Sequence, residues 1–193
     1  MTEATSGRPL RADARRNYQR ILGAAESVFA EQGADASLEE IARRAGVGSA
    51  TLHRHFPSRR ALLLAVFQDG IETLCEQARA LTEEAEPGPA LTSWLRALTA
   101  YTVSHRGLAL LLLPAGVGLE PASRDDTCHA MLNAAGGQLL KQAHVAGAVR
   151  PDVSLADLLT LVNAISLATE ADGNPNTADR LLVMALNGVH PLP

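Results

Sequence analysis

SLEEIARRAGVGSATLHRHFPSRR, residues 37–60, reads as two short helical patterns joined by a glycine turn and stopped at Pro57. Ser37 and Glu40 have the spacing of a capping box, in which each side chain satisfies a backbone donor left open at a helix start. Leu38, Ile41, Ala42 and Ala45 mark one apolar face of the first pattern. Gly46-Val47-Gly48 supplies residues that tolerate positive φ, as a tight turn between helices needs, with Val47 as an apolar plug. Gly48 or Ser49 caps the second pattern, whose Leu52 and Phe56 are four residues apart and turn inward together. Ala50, Thr51 and Arg54 then point away from the core. No acidic residue occurs from Arg43 to Arg60. A short helix that turns small, polar and cationic groups outward suits the major groove of DNA. The stretch is read as a helix-turn-helix.

Three pieces, two of them overlapping this stretch, stand in a recognisable order. They are ILGAAESVFAEQG (21–33), SLEEIARRAGV (37–47) and TLHRHFPSRRALL (51–63). Together, from about Tyr18 to Phe67, they resemble the DNA-binding domain of the tetracycline-repressor (TetR) family of bacterial regulators. His53 stands where that family usually has tyrosine, and Arg59 where it usually has lysine. The resemblance implies a homodimer whose two heads bind a palindromic double-stranded DNA operator, and a C-terminal pocket whose ligand releases the DNA. Carried over by position, Ser37, Thr51, His53, His55 and Arg59 make the DNA contacts. Thr51 with its neighbours Ser49 and Ala50 approaches base edges, and the others hold phosphates and fix register.

Charge is segregated along the chain. Residues 1–60 hold 10 Arg against 7 acids, a net of +3, and residues 61–193 hold 6 Arg and 1 Lys against 14 acids, a net of −7. The sum is the overall −4. The basic end is the end with the helix-turn-helix, which is the electrostatic arrangement a DNA-binding protein needs. Apolar residues make up 47% of the 193, enough for a core in one or two domains. No apolar run reaches the ~18 residues of a membrane span, and the first ten residues lack a hydrophobic signal region. Cys75 and Cys128 form neither a disulfide framework nor a C-x-x-C pair, so the expected compartment is the cytoplasm.

In chain order, residues 1–14 are read as a flexible basic arm, either a solvated tail or one in which Arg8, Arg11, Arg15 or Arg16 reaches a flanking phosphate or the minor groove. Residues 15–60 are read as the DNA-binding domain with its motif at 37–56, and 61–193 as a helical ligand-binding and dimerisation domain. The first helix is expected over 16–32, ended by Gly33. A long fourth helix follows from Ser58 to about residue 84, with Leu64, Phe67, Ile71, Leu74, Ala78 and Leu81 as a single stripe. Pro87-Gly88-Pro89 is read as a break, with the next helix at 91–105. A leucine-rich short helix (108–113), a Gly/Pro flap (114–121) and a helix over 124–146 come next. Ser154 and Asp157 open a helix over 155–168 that is apolar nearly all round, and a last helix covers 177–187. The fold class is all-α.

Few charges lie between residues 90 and 118, which suggests a mostly apolar cavity lined by Phe67, Ile71, Trp94, Tyr101 and His105. A helix apolar on every side wants a partner molecule. A four-helix dimer interface is therefore expected from Leu158, Leu161, Val162, Ile165, Leu181 and Leu182. His105, His129 and His144 lack metal-ligand spacing, and no catalytic or nucleotide-binding fingerprint occurs, so no catalytic residue, metal or cofactor is expected. The expected function is a ligand-responsive transcriptional regulator, a repressor released by a small, largely apolar effector. The competing readings are a helical small-molecule-binding protein of the same fold without specific DNA recognition, and an enzyme housed in the helical domain.

Overall fold

The computed structural model describes residues 7–33, 36–105, 127–169 and 175–188. Among them are eight helices and no strand: α1 (Gly7–Gln32), α2 (Leu38–Ala45), α3 (Ser49–His55), α4 (Arg59–Glu84), α5 (Pro87–Ser104), α6 (Thr127–Val145), α7 (Leu155–Thr169) and α8 (Pro175–Asn187). The chain divides into two compact units, Met1–Val66 and Phe67–Pro193, so the division falls inside α4 rather than at the expected 60/61 position.

α1 is helical from Gly7, well ahead of the expected start at residue 16. Pro9 is tolerated because the first turn needs no intrahelical N–H, and the following Leu, Arg and Ala residues are strong helix formers. Intrinsic propensity thus carries the helix through residues 7–14, a segment without the apolar periodicity used to predict it. In the first unit Ile21, Ala25, Val28 and Phe29 of α1, Ile41, Ala42 and Ala45 of α2, and Leu52 of α3 are buried. Phe56 and the α4 residues Leu62 and Leu63 are buried there as well.

In the second unit α5 packs against α6, α7 and α8. Pro87-Gly88-Pro89 opens this helix instead of separating it from the previous one. Proline is favoured in a first turn because its fixed φ fits and its missing N–H has no partner to lose. Trp94 is fully buried and its Nε1–H donates to the Leu74 carbonyl at 3.1 Å. Its ring lies so close to Gly136 of α6 that a Cβ there would come within 2.5 Å of it. Arg96 of α5 forms a two-pronged ion pair with Asp179 of α8, at 2.6 and 2.7 Å. The expected cap at the start of α7 is present. The Ser154 hydroxyl donates to the Asp157 carboxylate at 2.6 Å, and the Asp157 N–H returns to Ser154 Oγ at 3.1 Å. The expected short helix at 108–113 and the flap at 114–121 lie outside the described residues.

Candidate nucleic-acid interface

The turn between α2 and α3 is fixed from two sides. Gly46 has φ +62, and its N–H and that of Val47 return to the carbonyls of Arg43 and Ala42 at 3.1 and 3.0 Å. These two hydrogen bonds close the end of α2 at a left-handed residue where a side chain would be strained. From α1, Arg20 Nη2 donates to the Gly46 carbonyl at 3.3 Å. Gly48, by contrast, is extended at φ −71 and caps α3 without a side chain, so one glycine of the pair supplies the positive φ.

α2 starts with half of the expected capping box. The Glu40 N–H donates to Ser37 Oγ at 3.4 Å, but the Glu40 carboxylate turns away to Arg43 (2.7 and 2.8 Å) and Arg44 (2.8 Å). The Ser37 hydroxyl donates instead to Glu39 at 2.8 Å. The hydrogen bonds from Arg43 and then Arg44 hold the Glu40 carboxyl down at about 2, and the Ser37 hydrogen bond lowers that of Glu39. Arg44 also reaches Glu31 of α1 at 2.7 Å. The acid-free run from residue 43 to 60 is therefore met by acids that come from before it.

α3 divides cleanly into faces. Leu52 is buried, Thr51 and His55 are half-buried, and Ser49, Ala50, His53 and Arg54 are exposed. Arg54 has no acidic partner among the described residues, which makes it the free cation on the outward face. Arg54 is not among the contacts that the family resemblance implies; its outward place three residues after Thr51 is the signal for it in the sequence. Among the predicted contacts, Ser49, Ala50 and His53 share the outward face with Arg54. His55 is turned toward α1, its ring centroid 6.1 Å from that of Tyr18, and its Nε2 is buried without a hydrogen-bond partner. Arg59 is half-buried, and its Nη1 donates to the Ala36 carbonyl at 2.7 Å, tying the start of α4 to the segment before α2. Ser37 is exposed, with its hydroxyl engaged at the helix cap.

Of the residues expected to line an effector cavity, Phe67, Tyr101 and His105 are in mutual contact. Phe67, Ile71 and Trp94 are buried, and the His105 ring lies 4.2 Å from that of Tyr101 and 5.6 Å from that of Phe67. Tyr101 crosses α4 directly over Gly70, where a Cβ would come within 2.0 Å of its hydroxyl. Open volume lies between α4 and α6. Cys75, Ala78, Arg79, Thr82, Glu83, Met131, Ala134, Ala135 and Gln138 bound a cavity of about 340 Å³. A second hollow of about 400 Å³ shares Thr82 and Gln138 with it, so the two form one groove along both helices. Burial raises the pKa of the Cys75 thiol, so this residue behaves as a small apolar group there.

Among the six residues expected at a dimer interface, Leu158, Val162, Ile165 and Leu182 are buried within the chain's own core. Leu161 and Leu181 are half-buried. The outward surface of the same helices carries Thr160, Ala164, Leu167 and Ala168 on α7 and Val183 and Met184 on α8, with Met184 64% exposed. No helix among the described residues is long and apolar enough to cross a membrane.

A capped helix-turn-helix in one helical unit and a second all-helical unit together define a DNA-binding regulator. The description "Bacterial regulatory proteins, tetR family" matches residues 21–66. "Transcriptional regulator SbtR-like, C-terminal domain" matches residues 86–191, more than half of the chain. A TetR transcriptional regulator from Streptomyces coelicolor, SCO0520, is 34% identical over 91% of this chain and 99% of its own, with a TM-score of 0.55. UidR, a helix-turn-helix transcriptional regulator of Escherichia coli, is 25% identical over 84% of each chain. RolR in complex with resorcinol shares the fold, with a TM-score of 0.59 at 20% identity over 94% of this chain and 91% of that one. The chain belongs to the TetR family of transcriptional regulators, a family of regulators and not of enzymes.

Proposed function

We propose that this regulator is a repressor that binds a palindromic operator as a homodimer and leaves it when a small, largely apolar effector occupies the second unit. The observation that carries the reading is the outward face of α3, where Ser49, Ala50, His53 and Arg54 lie together on a helix held at its start by the Gly46 turn and Arg20. Small side chains admit the helix to the groove, and an unpaired guanidinium is the commonest reader of guanine. Thr51, half-buried beside them, reads or spaces bases, while Ser37, His53 and Arg59 are the backbone contacts. The effector site in this reading is the groove between α4 and α6. Its floor of Ala78, Ala134, Ala135, Cys75 and Met131 buries apolar area, and Arg79, Glu83 and Gln138 orient polar groups. RolR, which holds resorcinol, shows that this fold accommodates a small ligand in that protein.

The test uses a duplex selected by the full chain from a random-sequence library, compared with a scrambled duplex by fluorescence anisotropy. Arg54→Ala is expected to cost about 1–3 kcal/mol on the selected duplex and much less on the scrambled one, because a base contact discriminates sequence. Equal losses on both duplexes would remove Arg54 from base reading. Hydrophobic small molecules that lower operator affinity of the wild type should lose that effect with Ala135→Trp, which fills the groove. Unchanged release by the same molecules places the effector elsewhere.

A further inference from the structure

The face of α1 beside the helix-turn-helix carries charge that the function so far has not used. Arg15, Arg16, Gln19 and Arg20 are all exposed and together bound an open surface hollow of about 520 Å³. They stand at positions i, i+1, i+4 and i+5, which places them as one patch over a turn and a half of helix. Arg15 has no acidic partner among the described residues. Arg16 meets Asp13 in an exposed pair three residues apart, a contact weak enough to exchange for a stronger anion. Glu26 and Glu31, the other acids of α1 among the described residues, lie further along the helix, and Glu31 is held by Arg44.

The patch is anchored to the reading head at two points. Arg20 is bonded to the Gly46 carbonyl in the turn that precedes α3. On the adjoining side of α1, Tyr18 stacks on Phe56 just after α3, with ring centroids 5.1 Å apart. α1 packs along α2 and touches the turn before α3 and the residues at its end, and from Arg20 to Arg15 the patch extends about 8 Å along the helix axis.

We propose that this patch is a second DNA-backbone clamp, in which Arg15, Arg16 and Gln19 hold phosphates that flank the base pairs read by α3. The occupant follows from charge complementarity. Two guanidiniums with one primary amide match a row of phosphates, and Arg20 beside them ties α1 to the turn that precedes α3. The clamp lengthens the footprint beyond the half-site and adds affinity without adding sequence preference. It rests on the reading of the chain as an operator-binding protein.

The experiment measures binding of the full chain to two duplexes, one ending at the selected palindrome and one carrying about one further half-turn of unrelated sequence on each side. For Arg15→Ala/Arg16→Ala we expect a loss of about 10-fold on the long duplex and little on the short one. The salt slope on the long duplex should fall by about 1 for each arginine removed. Arg15→Lys/Arg16→Lys should recover most of the loss, and the thermal unfolding of all variants should coincide, because the changed positions are exposed. Equal losses on both duplexes, or an unchanged salt slope, would overturn the clamp while leaving the helix-turn-helix reading intact. A folded wild type that selects no sequence overturns both, and a normal clamp phenotype beside an inert Arg54→Ala confines the failure to α3.

Discussion

The two units of this chain hide their surfaces to different degrees. In the first, polarity separates the faces: Leu52 goes in, and Ser49, His53 and Arg54 go out, because charged and hydroxyl groups are costly to bury. In the second, α7 reads Leu-Ala-Asp-Leu-Leu-Thr-Leu-Val-Asn-Ala-Ile-Ser-Leu-Ala-Thr, with a single charge, and no face is marked. There the fold decides which leucines meet the chain's own core. Leu158, Val162 and Ile165 do, while Leu167 remains 43% exposed. Even Asn163 and Ser166 are buried, Ser166 by donating back to the Val162 carbonyl at 2.8 Å.

That contrast can be broken most forcefully at α7 and α8. Ala164→Glu with Met184→Glu places charge on the outward face, where we place the partner chain. We expect a folded monomer whose operator affinity falls about 100-fold or more, because one head alone loses the high effective concentration supplied by the other. Leu158→Glu with Leu182→Glu puts charge in the chain's own core, where an unpaired buried carboxylate destabilises strongly, and should abolish folding. Analytical ultracentrifugation with circular dichroism separates the two. If the outward pair still sediments as a dimer, the exposed apolar face is not the interface.

Next in size is Trp94. It is buried, hydrogen-bonded to Leu74 and pressed on Gly136. Trp94→Ala should therefore cost about 3–5 kcal/mol in chemical denaturation, in the range of other large-to-small core changes. A cost below about 1 kcal/mol would return Trp94 to the list of cavity residues.

What the sequence made legible follows the same division. The Gly46 turn, the inward Leu52 and Phe56, and the Ser154–Asp157 cap could be read because each depends on neighbours within a few residues. The partner of Glu40 could not, since capping and ion pairing compete for one carboxylate and two arginines three and four residues on outbid a single backbone N–H. Pro87-Gly88-Pro89 was ambiguous for a related reason: the same residues end one helix and begin another. The aromatic cluster of Phe67, Tyr101 and His105 was ambiguous too, because large rings at helical spacing fill each other's space as readily as they surround a guest, and spacing alone does not separate the two. His55 has the residue type of a phosphate contact and the position of a packing residue, and only the approach of Tyr18 from α1 distinguishes them.

The smallest expected effect concerns the carboxylate that left its cap. Glu40 titrates at about 2 in the folded chain, below its ordinary 4.5, because Arg43 and then Arg44 donate hydrogen bonds to it. A carboxyl whose pKa is lower in the folded state stabilises that state when ionised. Its contribution is fully present above about pH 4.5 and is lost as the pH falls from there toward 2. The pair is solvent-exposed, so the effect is modest and salt weakens it. Glu40→Gln should flatten the fall in stability between pH 4.5 and 2 and leave the neutral-pH melting temperature nearly unchanged. In the same variant Arg43 and Arg44 lose one of their acids, which raises the positive field at the motif. Non-specific DNA binding at low salt should then strengthen slightly. If acid stability is flattened but DNA binding stays the same, those two arginines lie outside the reach of the phosphates, and Arg54 with the α1 patch accounts for the charge the DNA meets.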